Sequence, residues 1–220
     1  MYYLYAAAGI AGLVLQVLLV GTMFRRNAYR EFPFLFTYTV VLLVTSSVEA
    51  RAFFSSAGPG AASSYYWIAD ALRQTLLYLV VIALTDRAAQ RTARGLGFRR
   101  ILAAGSLAYI AVSLYFTYHH VFMRWMTNFS RNLGFLAVLL NLVLWAVLLV
   151  SRQRSQTILL VSTGIGLQMT GKAAGHSFRV LSDRLVPAGN LMIVLTHLAC
   201  LYIWWHAFRA WTGPKTAAGR

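Results

Sequence analysis

The sequence predicts an all-α, polytopic membrane protein: a seven-helix transmembrane bundle with its N-terminus outside and its C-terminus in the cytoplasm. Three observations predict it. Seven long apolar stretches alternate with short basic or polar breaks across 220 residues that are 59% hydrophobic. The first stretch, residues 2–24, carries no charge, and the fifth, 133–150, is uncharged for 18 residues; each is about long enough to cross a ~30 Å hydrocarbon core as helix. The basic residues, finally, fall in alternate loops. Arg25, Arg26 and Arg30 follow the first span, Arg87, Arg91, Arg94, Arg99 and Arg100 the third, and Arg152 and Arg154 the fifth. Arg209, Lys215 and Arg220 follow the seventh, so 13 of the 20 cations share one side. That side is cytoplasmic by the positive-inside rule.

In chain order the spans read as 2–24, 33–54, 65–86, 101–120, 132–151, 156–179 and 188–211. They form a single domain over 1–212 with a short cytoplasmic tail, 213–220. The first span has arginines after it rather than before it and is too long for a signal-peptide core, so it is expected to stay attached. Pro33 opens the second span and Pro187 precedes the seventh, positions where a missing amide donor costs nothing. The stretch 55–64, with Gly58, Pro59 and Gly60 at its centre, reads as a flexible outer turn. Tyr2, Tyr3, Tyr5, Tyr65, Tyr66, Trp67 and Trp125 outside, and Trp204, Trp205 and Trp211 inside, read as the aromatic belts of two interfaces. No fixed-period repeat is visible.

Seven spans leave no room for a soluble catalytic or regulatory domain. The net charge of +15 is accounted for by anionic lipid at the cytoplasmic face, and nucleic acid is not an expected partner. Cys200 is the single cysteine and rules out an intramolecular disulfide. Asn128, Phe129 and Ser130 spell a glycosylation sequon in an outer loop.

The functional argument rests on polar residues inside spans, where ionised groups cost at least about 2.5 kcal/mol and usually face a bundle interior or a wet cavity. If the second loop is centred between Pro59 and Gly60, Glu49 and Asp70 stand level with each other, and Arg73 lies one turn deeper. Two adjacent carboxylates repel, so Arg73 and Arg51 are the expected counter-charges. On the sixth span Gln168, Lys172 and His176 recur at i, i+4 and i+8, with Arg179 beyond them. Gly164, Gly171 and Gly175 run alongside, and Gly171 with Gly175 forms a small-x-x-x-small pair that admits a neighbouring helix. Counting equal depths across the last loop sets Asn190 opposite His176, and His197 near Gln168. Ser106, Tyr109, Ser113, Thr117 and His120 line one face of the fourth span.

Together these residues imply an outward-facing polar pocket of net cationic balance, with Glu49, Asp70, Arg73, Gln168, Lys172, His176, Asn190 and His197 as ligand-binding candidates. The expected function is a non-enzymatic binding or sensory membrane protein, or accessory subunit, for an anionic ligand or lipid head group. A small-solute or proton-coupled transporter is the alternative. It would use Glu49, Asp70, Lys172 and His176 as exchangeable charges, but few polar residues line the inner half. A haem-binding electron carrier would need paired histidines such as His119 or His120 with His176. A zinc-dependent membrane hydrolase would need His120, His176 and Asp70 to converge. The topology resembles that of microbial rhodopsins, yet the retinal lysine of the seventh helix is absent and His197 stands near mid-helix. No cofactor is required by the sequence. The expected setting is the cytoplasmic membrane, with membrane partner subunits or a homo-oligomer as the protein partners.

Overall fold

A computed structural model describes residues 2–54, 59–90, 104, 137–146, 148 and 156–211. Every regular element among them is helical: α1 (Tyr2–Arg25), α2 (Ala28–Glu31), α3 (Pro33–Phe54), α4 (Pro59–Gln90), α5 (Ala137–Ala146), α6 (Gln156–Leu181), a 3-10 turn (Asp183–Leu185) and α7 (Val186–Arg209). Four stretches within these helices are long and apolar enough to cross a membrane: Tyr3–Arg25, Pro33–Arg51, Ile68–Ala88 and Val186–Arg209. Of the expected fourth span all but residue 104 lies outside the described residues, and the fifth is represented by α5, a shorter apolar helix. The sixth is α6, whose 26 residues give a length of about 39 Å but whose composition is more polar.

Pro59 is the first residue of α4, a position that tolerates its missing N–H. The helix therefore begins six residues earlier than expected and consumes most of the anticipated outer turn. It continues to Gln90, so its ends project beyond its own apolar stretch.

The chain divides into two compact units, Met1–Val44 with Ser155–Arg220, and Thr45–Arg154. In the first unit α7 is the central helix, with α6 and α1 packed along it. Contacts at both ends show that α1 and α7 run parallel: the Tyr5 hydroxyl donates to the Pro187 carbonyl (3.4 Å) at one end, and Arg26 Nη2 donates to the Arg209 carbonyl (3.3 Å) at the other. The buried positions of α1, Gly12, Gln16, Leu19 and Met23, fall at steps of four, three and four, a narrow seam. The rest of the helix exposes Ile10, Val14, Val17 and Leu18, the surface expected of a helix that faces lipid.

Between α1 and α3 the chain turns at Asn27, whose φ of 54° is a left-handed conformation that asparagine tolerates better than most residues. Ala28 and Phe32 are buried in the turn. Phe32 meets Phe208 and Trp211 edge-on at 5.5 and 6.4 Å, which fastens this elbow to the last turns of α7.

The α6–α7 seam is built on glycine. A Cβ on Gly175 would stand 2.5 Å from Ile193 Cγ1 and 2.7 Å from the Gly189 carbonyl, and one on Gly171 would collide with Thr196. Gly164 leaves the notch that receives Trp204, whose Nε1 donates to the Val161 carbonyl at 3.0 Å. Trp204 is fully buried and also meets Tyr38 of α3 edge-on at 5.8 Å. It is thus a packing residue and not part of the expected inner belt. Its neighbour Trp205, about 100° further round the helix, reaches the half-buried surface.

Candidate functional site

The eight candidate residues fall into the two units, Glu49, Asp70 and Arg73 in one and Gln168, Lys172, His176, Asn190 and His197 in the other. In the second unit Arg73 forms a two-pronged ion pair with Glu49: Nη1 donates to Oε2 at 3.3 Å, and Nη2 donates to Oε1. Arg73 Nε also donates to the Ala69 carbonyl at 3.2 Å. Helical side chains lean toward the N-terminus of their helix, so the guanidinium folds back by one turn to the level of Ala69 and Asp70. That is the depth at which equal-distance counting from the turn sets Glu49. Both side chains keep about a fifth of their surface accessible, 18% for Arg73 and 23% for Glu49. Asp70 is half-buried and engaged, and Arg51 is exposed.

One residue beyond Arg73, Gln74 is buried, and its Oε1 accepts no hydrogen bond among the described residues. Tyr78, one turn on, is almost completely buried. Sequence reasoning missed this face of α4. Its signal was the recurrence of Gln74, Leu77, Tyr78, Val81, Leu84, Thr85 and Ala88 at steps of three and four residues, a packing stripe with polar members.

In the first unit the glycine contacts fix the register of the polar residues. Gly175 lies level with Gly189 and Ile193, Gly171 with Thr196, and Gly164 with Cys200 and Trp204. His176 accordingly stands at the depth of Asn190, and Gln168 near that of His197, the same register that counting from the loop gives. Gln168 is buried, while Lys172, Asn190 and His197 are half-buried. Neither Lys172 nor His197 is free.

Lys172 continues a stripe of α6 that is buried at Val161, Ile165 and Gln168. It sits nine residues before the end of the helix at Leu181, about 14 Å along the axis. The nearer end of α6 is its C-terminus, against the natural lean of a helical side chain.

Among the described residues no group of three His, Cys, Asp or Glu side chains is arranged to hold a metal ion. His119 and His120, the histidines of the haem and zinc readings, lie outside the described residues. Comparison with protein-family models, with curated proteins and with solved structures gives no match.

Proposed function

We propose that this chain is a multi-pass protein of the cytoplasmic membrane that binds an anionic ligand or lipid head group on the outward half of the α6–α7 pair, as a non-enzymatic binding or sensory protein or an accessory subunit. The four long apolar helical stretches support the membrane setting. The parallel course of α1 and α7 suits a chain whose termini lie on opposite sides, and α6, which keeps pace with α7 along its length, would be a further span. The observation that carries the binding reading is Lys172, half-buried on a face of α6 whose preceding positions are buried. Lys172 is engaged, and its ammonium carries three donors, so an anion can join it there in a charge-assisted contact.

The test is native mass spectrometry of the full-length detergent-purified protein, with an absorption spectrum and metal analysis on the same sample. An anionic adduct retained by the wild type and lost in Lys172→Gln is the expected result. Retention of the same adduct in Lys172→Gln refutes the binding reading, and a haem or a metal in the sample replaces it.

Transport is the second reading, favoured by the Glu49–Arg73 pair and by the buried Gln74 beside it. Proton uptake by proteoliposomes that Glu49→Gln abolishes would promote it.

A further inference from the structure

The end of the first unit formed by the α1–α2 elbow and the last turn of α7 gathers Arg25, Arg26, Arg30 and Arg209, all exposed. Arg209 lies almost the whole chain away from the other three, and the fold brings its backbone against Arg26. Buried Ala28 and Phe32 anchor the elbow, the Phe32–Phe208 contact docks it on α7, and Arg26 reaches across to the Arg209 carbonyl. Like charges held together in this way repel unless an anion joins them.

Charges nearby do not remove the excess. Glu31 is the one acid in residues 1–44 and is itself engaged. The helix termini cancel in pairs: α1 and α7 present C-termini here, and α3 and α6 present N-termini, each carrying about half a unit charge.

The arginines are also partly ordered. Arg209 lies over the Trp205 ring at 5.4 Å, and Arg30 lies over Tyr29 at 5.8 Å with its Nε donating to the Tyr29 hydroxyl at 3.3 Å. Stacking of this kind leaves guanidinium donors available and lowers the side-chain entropy lost on binding. Phe24 and Phe34 flank the cluster with 65% and 49% of their surface exposed. Cations bordered by exposed aromatic rings match the boundary between head groups and acyl chains, whereas a nucleic-acid surface would stand clear of hydrocarbon.

We propose that this end of the first unit is a binding surface for anionic phospholipid, with Arg25, Arg26, Arg30 and Arg209 holding the head-group phosphate and Phe24 and Phe34 meeting the acyl region. The surface rests on the membrane setting but is independent of the ligand proposed for α6–α7.

The experiment adds dioleoyl-phosphatidylglycerol or dioleoyl-phosphatidylcholine to the full-length protein in detergent and compares lipid retention by native mass spectrometry. The wild type should retain phosphatidylglycerol preferentially, and each arginine replaced by glutamine should lower that preference about fivefold. The set comprises Arg30→Gln, chosen because among the described residues its side chain is bonded only locally, to Tyr29, and the Arg25→Gln, Arg26→Gln, Arg30→Gln, Arg209→Gln combination, with helix content checked by circular dichroism. Arg184→Gln, at an exposed arginine of the 3-10 turn at the opposite end of this unit, should leave the preference unchanged.

Equal retention of the two lipids by the wild type overturns the proposal, as does an undiminished preference in both Arg30→Gln and a folded combination variant. Loss of the preference in Lys172→Gln moves the lipid to α6. Competition by inorganic phosphate or a short oligonucleotide at concentrations equal to the lipid's would show an anion surface without lipid selectivity, and would equally overturn it.

Discussion

Two helix pairs in this protein are joined by opposite means. The α6–α7 seam is close and largely apolar, with glycines admitting Ile193, Thr196 and Trp204 to the α6 backbone. In the other unit, the C-terminal part of α3 is tied to α4 by the Glu49–Arg73 ion pair, part of which remains accessible. In lipid there is no hydrophobic drive between helices, so close van der Waals contact and interhelical polar bonds are the two available sources of association. The first depends on shape and fails when volume is added. The second depends on charge balance and fails when one partner is removed.

The largest effect should come from Trp204→Ala. It removes a fully buried ring together with its bond to Val161 and its contact with Tyr38, and should destabilise the first unit by about 3–5 kcal/mol in mixed-micelle SDS titrations. Trp204→Phe, which keeps most of the volume and loses the hydrogen bond, should cost about 1 kcal/mol.

Gly175→Leu tests the seam by addition. The Gly189 carbonyl in its path is backbone and has no rotamer to yield, so the loss should be about 1–3 kcal/mol. Gly9→Leu and Gly21→Leu, where an added Cβ meets nothing within 4 Å, should be near neutral. Equal effects at Gly175 and Gly9 would show that α6 and α7 are not held by close approach.

On the other pair, Glu49→Leu or Arg73→Leu alone should cost about 1.5–3 kcal/mol, the range for charged hydrogen bonds. The double Leu variant should recover most of that loss. Recovery would identify the pair as a structural tie, whereas a double variant that is stable but inactive in transport would identify it as functional.

Cys200 gives the smallest and most local readout. It is fully buried beside Gly164, its Sγ 3.3 Å from where a Cβ would stand, and should react slowly with a membrane-permeant maleimide. Gly175→Leu should speed the labelling if the seam opens as one unit, and leave it unchanged if only the outer turns part.

Several features of this architecture were legible in the sequence for physical reasons. A charge-free run such as 2–24 cannot be stable in water and has few ways to be satisfied except as a membrane helix. The Glu49–Arg73 pairing and the α6–α7 register were legible because antiparallel helices joined by short loops have depths fixed by counting residues. The elbow was not. Its path depends on one left-handed residue, Asn27, and on Phe32 finding Phe208 across most of the chain, and neither carries a local pattern.

Composition also misled in one place. Trp204 and Trp205 look alike as interfacial tryptophans, but the notch at Gly164 claims the first and leaves the second at the half-buried surface. The meeting of Arg26 with Arg209 was equally invisible, since it requires α1 and α7 to be neighbours and not only to run the same way.

The sequence by itself determined the helical class, the apolar stretches long enough to cross a membrane and the register of the polar residues along paired helices, because hydropathy and the fixed rise of a helix act locally. Only the tertiary structure decided which face of each helix is occupied, that Arg73 folds back onto Glu49, that Trp204 is buried, and that arginines from both ends of the chain share one surface. Those outcomes depend on which helices pack together and how closely, and close packing is settled by contacts between residues far apart in the chain.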